Sequence, residues 1–398
     1  MQVKVTYLLI FKEMFRIVSV LFLFRYFLMS APIVGMFSAF TVESGLSPIQ
    51  IGLTFAIFFL ACNLFEIPSS IIADKFSRKK VVMVACVIFL FCNGIFLFSQ
   101  SQVAFIIHMV LAGIGVALFS GTVEALLYDE LKAIGQEEKY QKAIGFYQIA
   151  LSLALSTSLF LGAYLVQYGY RIIVLISLAL SCSSLIVFTL FMKETPRTKA
   201  VDEAHSFREI FTEGRRAITH NRTVLFLALI SLIFGSTAFT LGDMAIVTSM
   251  ELGWLKENIA KVFGINTLFE AAITYIFIKY CGKMKVSTVQ ILMFFVLILA
   301  IAGLCFGKWW SIFCVLPLWW LERLKSIVIE PKIQDMIPST SRATATSCIS
   351  MAFGMNYCVL IIVLGCVAQH FSFATGFATI CIIGFAGIFG ITRVFREV

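Results

Sequence analysis

A chain of 398 residues that is 60% hydrophobic and 13% charged, with a mean hydropathy of +0.97, is not a water-soluble globular protein. Soluble chains carry about a quarter charged residues. The formal charge of +9 could suit a nucleic-acid partner, but its distribution along the chain points to membrane topology instead.

Crossing roughly 30 Å of hydrocarbon takes about 20 apolar residues. Twelve such runs follow one another, near 17–41, 48–73, 81–99, 103–130, 144–166, 170–192, 222–247, 258–279, 287–306, 309–334, 340–367 and 370–392. Backbone groups in hydrocarbon must bond within their own segment, so these runs are predicted to be helices. The first lacks a small-residue cleavage site and is long enough to remain as a helix, so no cleavable signal peptide is expected. The eleven cysteines, Cys62, Cys86, Cys92 and Cys182 among them, lie mostly in apolar runs without a CxxC pair. They read as small buried hydrophobes, and neither a metal nor another cofactor is expected.

If the N-terminus is cytoplasmic, most cations fall on that side. They are Lys4, Lys12 and Arg16, the Lys75–Lys80 turn, Lys132, Lys139 and Lys142, the seven of the 193–222 connection, Lys279, Lys283 and Lys285, Lys332 and Arg342, and Arg393 with Arg396. The other side keeps Arg171, Lys256, Lys261 and Lys308. That bias places both termini in the cytoplasm of a multi-pass protein of the cytoplasmic (inner) membrane.

Between the second and third runs stand Glu66-Ile-Pro68, then Asp74-Lys75-Phe-Ser-Arg78-Lys79-Lys80. An acid followed by cations in a tight turn pairs charges at the membrane face and clamps two helices. This run resembles the signature of the major facilitator superfamily of transporters, with Ser70 and Ser77 where glycines are usual. Ser120-Gly121-x-x-Glu124-Ala-Leu-Leu-Tyr128-Asp129-x-Leu131 and Arg342-Ala-Thr344-x-x-Ser347 resemble a bacterial drug- or metabolite-transporter branch. The resemblance implies twelve transmembrane helices in two pseudo-symmetric six-helix bundles, residues 1–192 and 222–398, working by alternating access as a monomer. It also implies a conformational lock made by Asp74, Lys75, Arg78, Lys79 and Asp129, with Asp129 relaying charge to Arg78. Two exporter hallmarks are missing. Met109 stands four residues before Gly113 where an arginine is usual, and 145–166 contains no proline.

The 193–221 linker places Phe207, Ile210, Phe211 and Ile218 at helical spacing among Arg208, Glu209, Arg215 and Arg216. It reads as an amphipathic surface helix or as a solvated linker. Across the linker the halves echo one another. Gly45-Leu46, Ile51 and Phe55 recur as Gly253-Trp254, Ile259 and Phe263, and Leu64-Phe65-Glu66 recurs as Leu268-Phe269-Glu270. Parallel repeats of this kind fit such transporters.

Ionisable residues at membrane depth are functional candidates by default. Arg25 and Glu66 fall about 12 Å from the same face at 1.5 Å per residue, close enough to form either an inert pair or a substrate contact. Glu270, the repeat counterpart of Glu66, has no evident cation on its neighbouring helix. Glu124, beside Gly121, is a candidate proton carrier or structural ion-pair member. Glu322 and Lys325 share a helical face and can neutralise each other. Arg323 points elsewhere and needs a partner, either a substrate anion or Asp243. His108 reads as a satisfied hydrogen-bonder. Trp309 and Trp310 suit an interfacial belt.

There is no phosphate-binding GxxxxGK[ST] loop, HExxH, or soluble domain to house an enzyme. The expected function is secondary active transport of a small organic molecule, as proton-coupled efflux (antiport) of a drug, toxin or secreted metabolite. The alternatives are import of a nutrient or a siderophore-like metal chelate, and a non-transporting membrane sensor.

Overall fold

The computed structural model describes residues 2–194, 212, 215–280, 284–306, 308–338 and 342–396. Eleven helical segments among them are long and apolar enough to cross a membrane. In chain order the helices are α1 (Gln2–Met29), α2 (Pro32–Glu43), α3 (Pro48–Lys75), α4 (Arg78–Gly94), α5 (Gln102–Phe119), α6 (Thr122–Ala133), α7 (Tyr140–Leu165) and α8 (Tyr170–Phe191). They continue as α9 (Arg222–Glu251), α10 (Lys256–Tyr280), α11 (Val286–Cys305), α12 (Ile312–Val315), α13 (Pro317–Val328), α14 (Glu330–Met336), α15 (Arg342–His370) and α16 (Phe373–Arg396). The amphipathic helix expected around Phe207, Ile210 and Phe211 lies outside the described residues, whereas Arg215, Arg216 and Ile218 are helical.

Three expected spans are broken. The run at 309–334 becomes the short helices α12, α13 and α14, because Pro317 and Pro331 each withdraw a backbone donor. The fourth run divides at Ser120–Gly121, where Ser120 is extended and Gly121 adopts φ 70°. Only glycine takes that conformation without strain, so the helix stops and restarts at Thr122. The first run divides ahead of Pro32.

Contacts divide the chain into two compact units. The first comprises Met1–Phe40, Ala61–Val201 and Ala260–Leu268. In it α1 packs on α7 and α8, and α4 packs on α5 and α8. The α1–α2 break would strand backbone groups in hydrocarbon, and buried serines satisfy them. Ser158 donates to the Ala31 carbonyl at 2.7 Å and accepts from the Gly35 N–H at 2.9 Å. Ser177 accepts from the Ile33 N–H at 3.1 Å. His108 is buried and stacked on Phe37, with its Nδ1 3.0 Å from the Cys92 carbonyl, the satisfied hydrogen-bonder that its sequence context suggested. Ten of the cysteines lie among the described residues, and all of these are free.

The second unit comprises Thr41–Leu60, Asp202–Ile259 and Phe269–Val398. Here α9 packs on α13, α15 and α16, and α11 on α13 and α16. The echo between the halves has a structural counterpart. Gly45 and Gly253 have φ 81° and 92°. The N–H of Leu46 returns to the Thr41 carbonyl and that of Trp254 to the Ser249 carbonyl, the same helix-ending cap twice. Ile51 and Ile259 are both 1% exposed, and Phe55 and Phe263 are 8% and 9%.

Candidate functional site

In the second unit, ionisable residues from four helices meet among aromatic rings. α13 begins at Pro317 and carries Glu322, Arg323 and Lys325. Three residues apart, Glu322 and Lys325 share a face, and the Lys325 Nζ lies 2.7 Å from the Glu322 Oε1. The same Nζ is 3.5 Å from the Oε1 of Glu330 on α14 and 3.5 Å from the Ser231 carbonyl of α9. The lysine side chain is only 4% exposed. A charge so deep persists only when paired. The Glu322 Oε2 is buried and has no hydrogen-bond partner among the described residues.

A small residue makes this approach possible. A Cβ on Gly235 of α9 would stand 3.1 Å from Phe353, 3.2 Å from the Lys325 Nζ and 3.3 Å from the Glu322 Oε1. About two turns further along the same face of α9, a Cβ on Gly242 would lie 3.0 Å from the indole nitrogen of Trp319. That nitrogen donates to the Ala238 carbonyl at 3.1 Å.

Arg323 leaves the face shared by Glu322 and Lys325, as expected, but its partner is Glu270 of α10. The guanidinium is half exposed and the carboxylate 18% exposed. Thus the cation missing beside Glu270 comes from α13, and Asp243 is not the counter-ion of Arg323. Asp243 of α9 instead accepts a hydrogen bond from the Tyr357 hydroxyl of α15 at 2.5 Å. Tyr357 is fully buried, its ring 4.1 Å from that of Phe59, while Phe353 and Phe239 meet edge-on at 5.4 Å.

Two cavities flank Glu322 and Glu330. One of about 410 Å³ is lined by Phe239, Asp243, Glu270, Trp319, Glu322 and Arg323, among others. The other, of about 260 Å³, includes Ser231, Glu322, Lys325, Glu330, Ser350 and Phe353. Sequence reasoning missed Tyr357, Trp319, Glu330 and the two glycines. The available signals were a phenol inside an apolar run and Gly235 and Gly242 seven apart on one helical face.

The first unit distributes its expected residues differently. Arg25 is joined to Glu66 by no ion pair among the described residues. It donates to the Tyr147 hydroxyl at 3.2 Å and lies over the rings of Phe119 and Tyr147, 4.7 and 4.9 Å from their centroids. Aromatic faces thus supply the negative potential that the carboxylate was expected to give. Glu66 is half-buried on α3, and Glu124 is exposed in the first turn of α6 rather than partly buried. The break at Gly121 re-aims that turn.

At one end of this unit Arg78 and Asp129 form the expected pair, Nη1 to Oδ2 at 2.6 Å. Glu194 extends it by accepting the Arg78 backbone N–H at 2.7 Å and the Ser77 hydroxyl. Lys79 donates to the Thr189 carbonyl at 2.9 Å. The side chains of Asp74 and Lys75 lie outside the described residues.

The profile of the Major Facilitator Superfamily matches residues 18–321. The chain belongs to that superfamily. An uncharacterized transporter, BU466, of Buchnera aphidicola subsp. Acyrthosiphon pisum is 27% identical over 237 residues, 58% of this chain and 57% of that protein. The chain therefore spans little more than half the length of the curated relative it matches. The solved nucleoside transporter NupG superposes with a TM-score of 0.78 at 14% identity, covering 96% of this chain and 99% of its own. A bacterial homologue of the human lysosomal transporter Spinster, inward-facing and occupied, gives 0.71 at 14%, covering 96% and 97%. A POT family transporter in complex with 5-aminolevulinic acid gives 0.70 at 13%, covering 96% and 95%. At such identities the likeness shows the fold alone, which is the all-helical membrane fold of the Major Facilitator Superfamily. The superfamily is one of multi-pass membrane transporters rather than of enzymes.

Proposed function

We propose that this chain is a secondary transporter that moves a small organic molecule by alternating access, using the site on α9, α10, α13 and α15. The observation that carries the reading is a charge imbalance. Asp243, Glu270, Glu322 and Glu330 line the two flanking cavities, with Arg323 and Lys325 as the only lining cations among the described residues. Uncompensated negative charge is costly at membrane depth, so the site favours an arriving proton or a positively charged cargo. Asp243 and Glu322 are the coupling carboxylates. The aromatic rings of Phe239, Phe353 and Trp319 take the apolar part of the cargo. Uptake of protons as cargo departs makes the direction efflux, energised by the proton gradient.

In this reading residues 1–192 and 222–398 are the two six-helix halves, and Arg78–Asp129 with Glu194 holds one conformation. The ends of this chain face the cytoplasm, as its cationic bias requires. A reporter fused to Val398 should fluoresce or resist external protease, and the opposite result reverses the topology.

The test is untargeted metabolite analysis of cells and medium, with the protein expressed in a transporter-poor host. Efflux predicts a compound depleted inside and enriched outside, with the effect abolished by Asp243→Asn or Glu322→Gln. Accumulation inside would make the protein an importer. No change, together with no proton flux in proteoliposomes on addition of any extract fraction, would remove the transport reading.

A further inference from the structure

Away from the candidate site, the first unit carries an apolar groove of about 730 Å³ between α1 and α7. Met14, Phe15, Val18, Phe22 and Leu23 line it from α1 and Phe146 from α7. Phe15 is 65% exposed. α1, with α2 continuing it, runs in the same direction as α7, since Arg25 of α1 meets Tyr147 and Gly35 of α2 meets Ser158. The groove therefore has a defined start, at Met14 on one wall and Lys139 and Lys142 on the other. From Met14 to Leu23 it extends about 14 Å at 1.5 Å per residue.

Lys139 and Lys142 both line the groove, both are exposed, and neither has an ion-pair partner among the described residues. They frame the start of α7, whose N-cap, Lys139, offers no side-chain cap. The Tyr140 N–H of that first turn is already bonded to the Glu137 carbonyl, but the positive end of the helix dipole still favours an anion there, and the lysines add two full charges to it. Glu137 and Glu138 precede them but lie outside the groove lining.

Apolar walls alone would not choose among lipids, because one acyl tail resembles another to a hydrocarbon surface. The choice comes from the charged end. We propose that the groove binds an anionic glycerophospholipid, with one acyl chain along α1 and α7 and its phosphate on Lys139, Lys142 and the first turn of α7. A second apolar groove, of about 900 Å³ between α4 and α8, has Lys80 as its one lining cation among the described residues. It provides the contrast of lipid contact with half the charge.

Native mass spectrometry of the detergent-solubilised full chain tests this, with phosphatidylglycerol and phosphatidylethanolamine as probes. Wild type should retain phosphatidylglycerol preferentially. Lys139→Gln/Lys142→Gln should lose about fivefold of that preference per lysine, roughly 25-fold together. Lys261→Gln/Lys308→Gln, with the same change in net charge, should keep it. Ser19→Phe, which fills the groove while leaving both lysines, should weaken phosphatidylglycerol retention. Melting temperatures in lipid-free detergent check that each variant is folded. Equal retention of both lipids by wild type would overturn the proposal, and so would equal losses in the two lysine pairs. Displacement by glycerol 3-phosphate together with indifference to Ser19→Phe would make the site one for a soluble anion, which also overturns it.

Discussion

Lys325 lies 2.7 Å from Glu322, three residues before it on the same short helix, against the bare Cα of Gly235. Both charges are held in a nearly closed space, so each depends on the other. Breaking a buried pair from one side costs about 3–5 kcal/mol, while replacing both members with apolar groups is often close to neutral. Glu322→Gln and Lys325→Met should each lower the melting temperature of the purified protein more than the double variant does. Additive losses would mean that the two charges act independently.

Gly235 gives a steric prediction of its own. A methyl group there would sit 3.1–3.3 Å from Phe353, Lys325 and Glu322, a crowding that small movements relieve. Gly235→Ala should therefore retain most transport. Gly235→Leu should force α9 and α13 apart at a cost of roughly 1–3 kcal/mol and abolish uptake or efflux in vesicles. Full activity in the leucine variant would show that the Glu322–Lys325 pair need not seat against α9.

Tyr357 donates its hydroxyl to Asp243 at 2.5 Å from a fully buried position. Tyr357→Phe keeps the ring packing against Phe59 but removes the donor, at a cost of about 1–3 kcal/mol for the carboxylate left behind. The expected result is a slower maximal rate with normal expression. Kinetics indistinguishable from wild type would remove Asp243 from the coupling scheme.

The Arg78–Asp129 pair is shielded but not closed off, with side chains 15% and 27% exposed. Charge-assisted hydrogen bonds of this kind contribute roughly 1.5–3 kcal/mol. Asp129→Asn should destabilise the conformation seen here and raise the labelling rate of a cysteine placed at Ser77. Exchanging the charges, Arg78→Asp with Asp129→Arg, should restore part of the slow labelling. No change in either variant would dismiss the lock.

Gly45 and Gly253 make matching helix caps at φ 81° and 92°. An alanine in a left-handed conformation costs about 1–2 kcal/mol. Gly45→Ala and Gly253→Ala should lower the melting temperature by similar amounts, with Gly121→Ala, at φ 70°, as a third case. A large effect at one cap and none at the other would argue against equivalent repeats.

The amino-acid sequence by itself determined the helical membrane class, because long apolar runs admit no other backbone arrangement in hydrocarbon. It also determined the Arg78–Asp129 pair through a recognisable signature, the Glu322–Lys325 pair through helical spacing, and the echo of Gly45 in Gly253. Only the tertiary structure decided which charges meet across helices. Arg323 went to Glu270, Asp243 to Tyr357, and Arg25 to the rings of Phe119 and Tyr147. Periodicity gives the depth and face of a residue on its own helix, but partners on other helices depend on where the helices cross. Those crossings are set by breaks at Ser120–Gly121, Pro317 and Pro331 and by the close approach at Gly235.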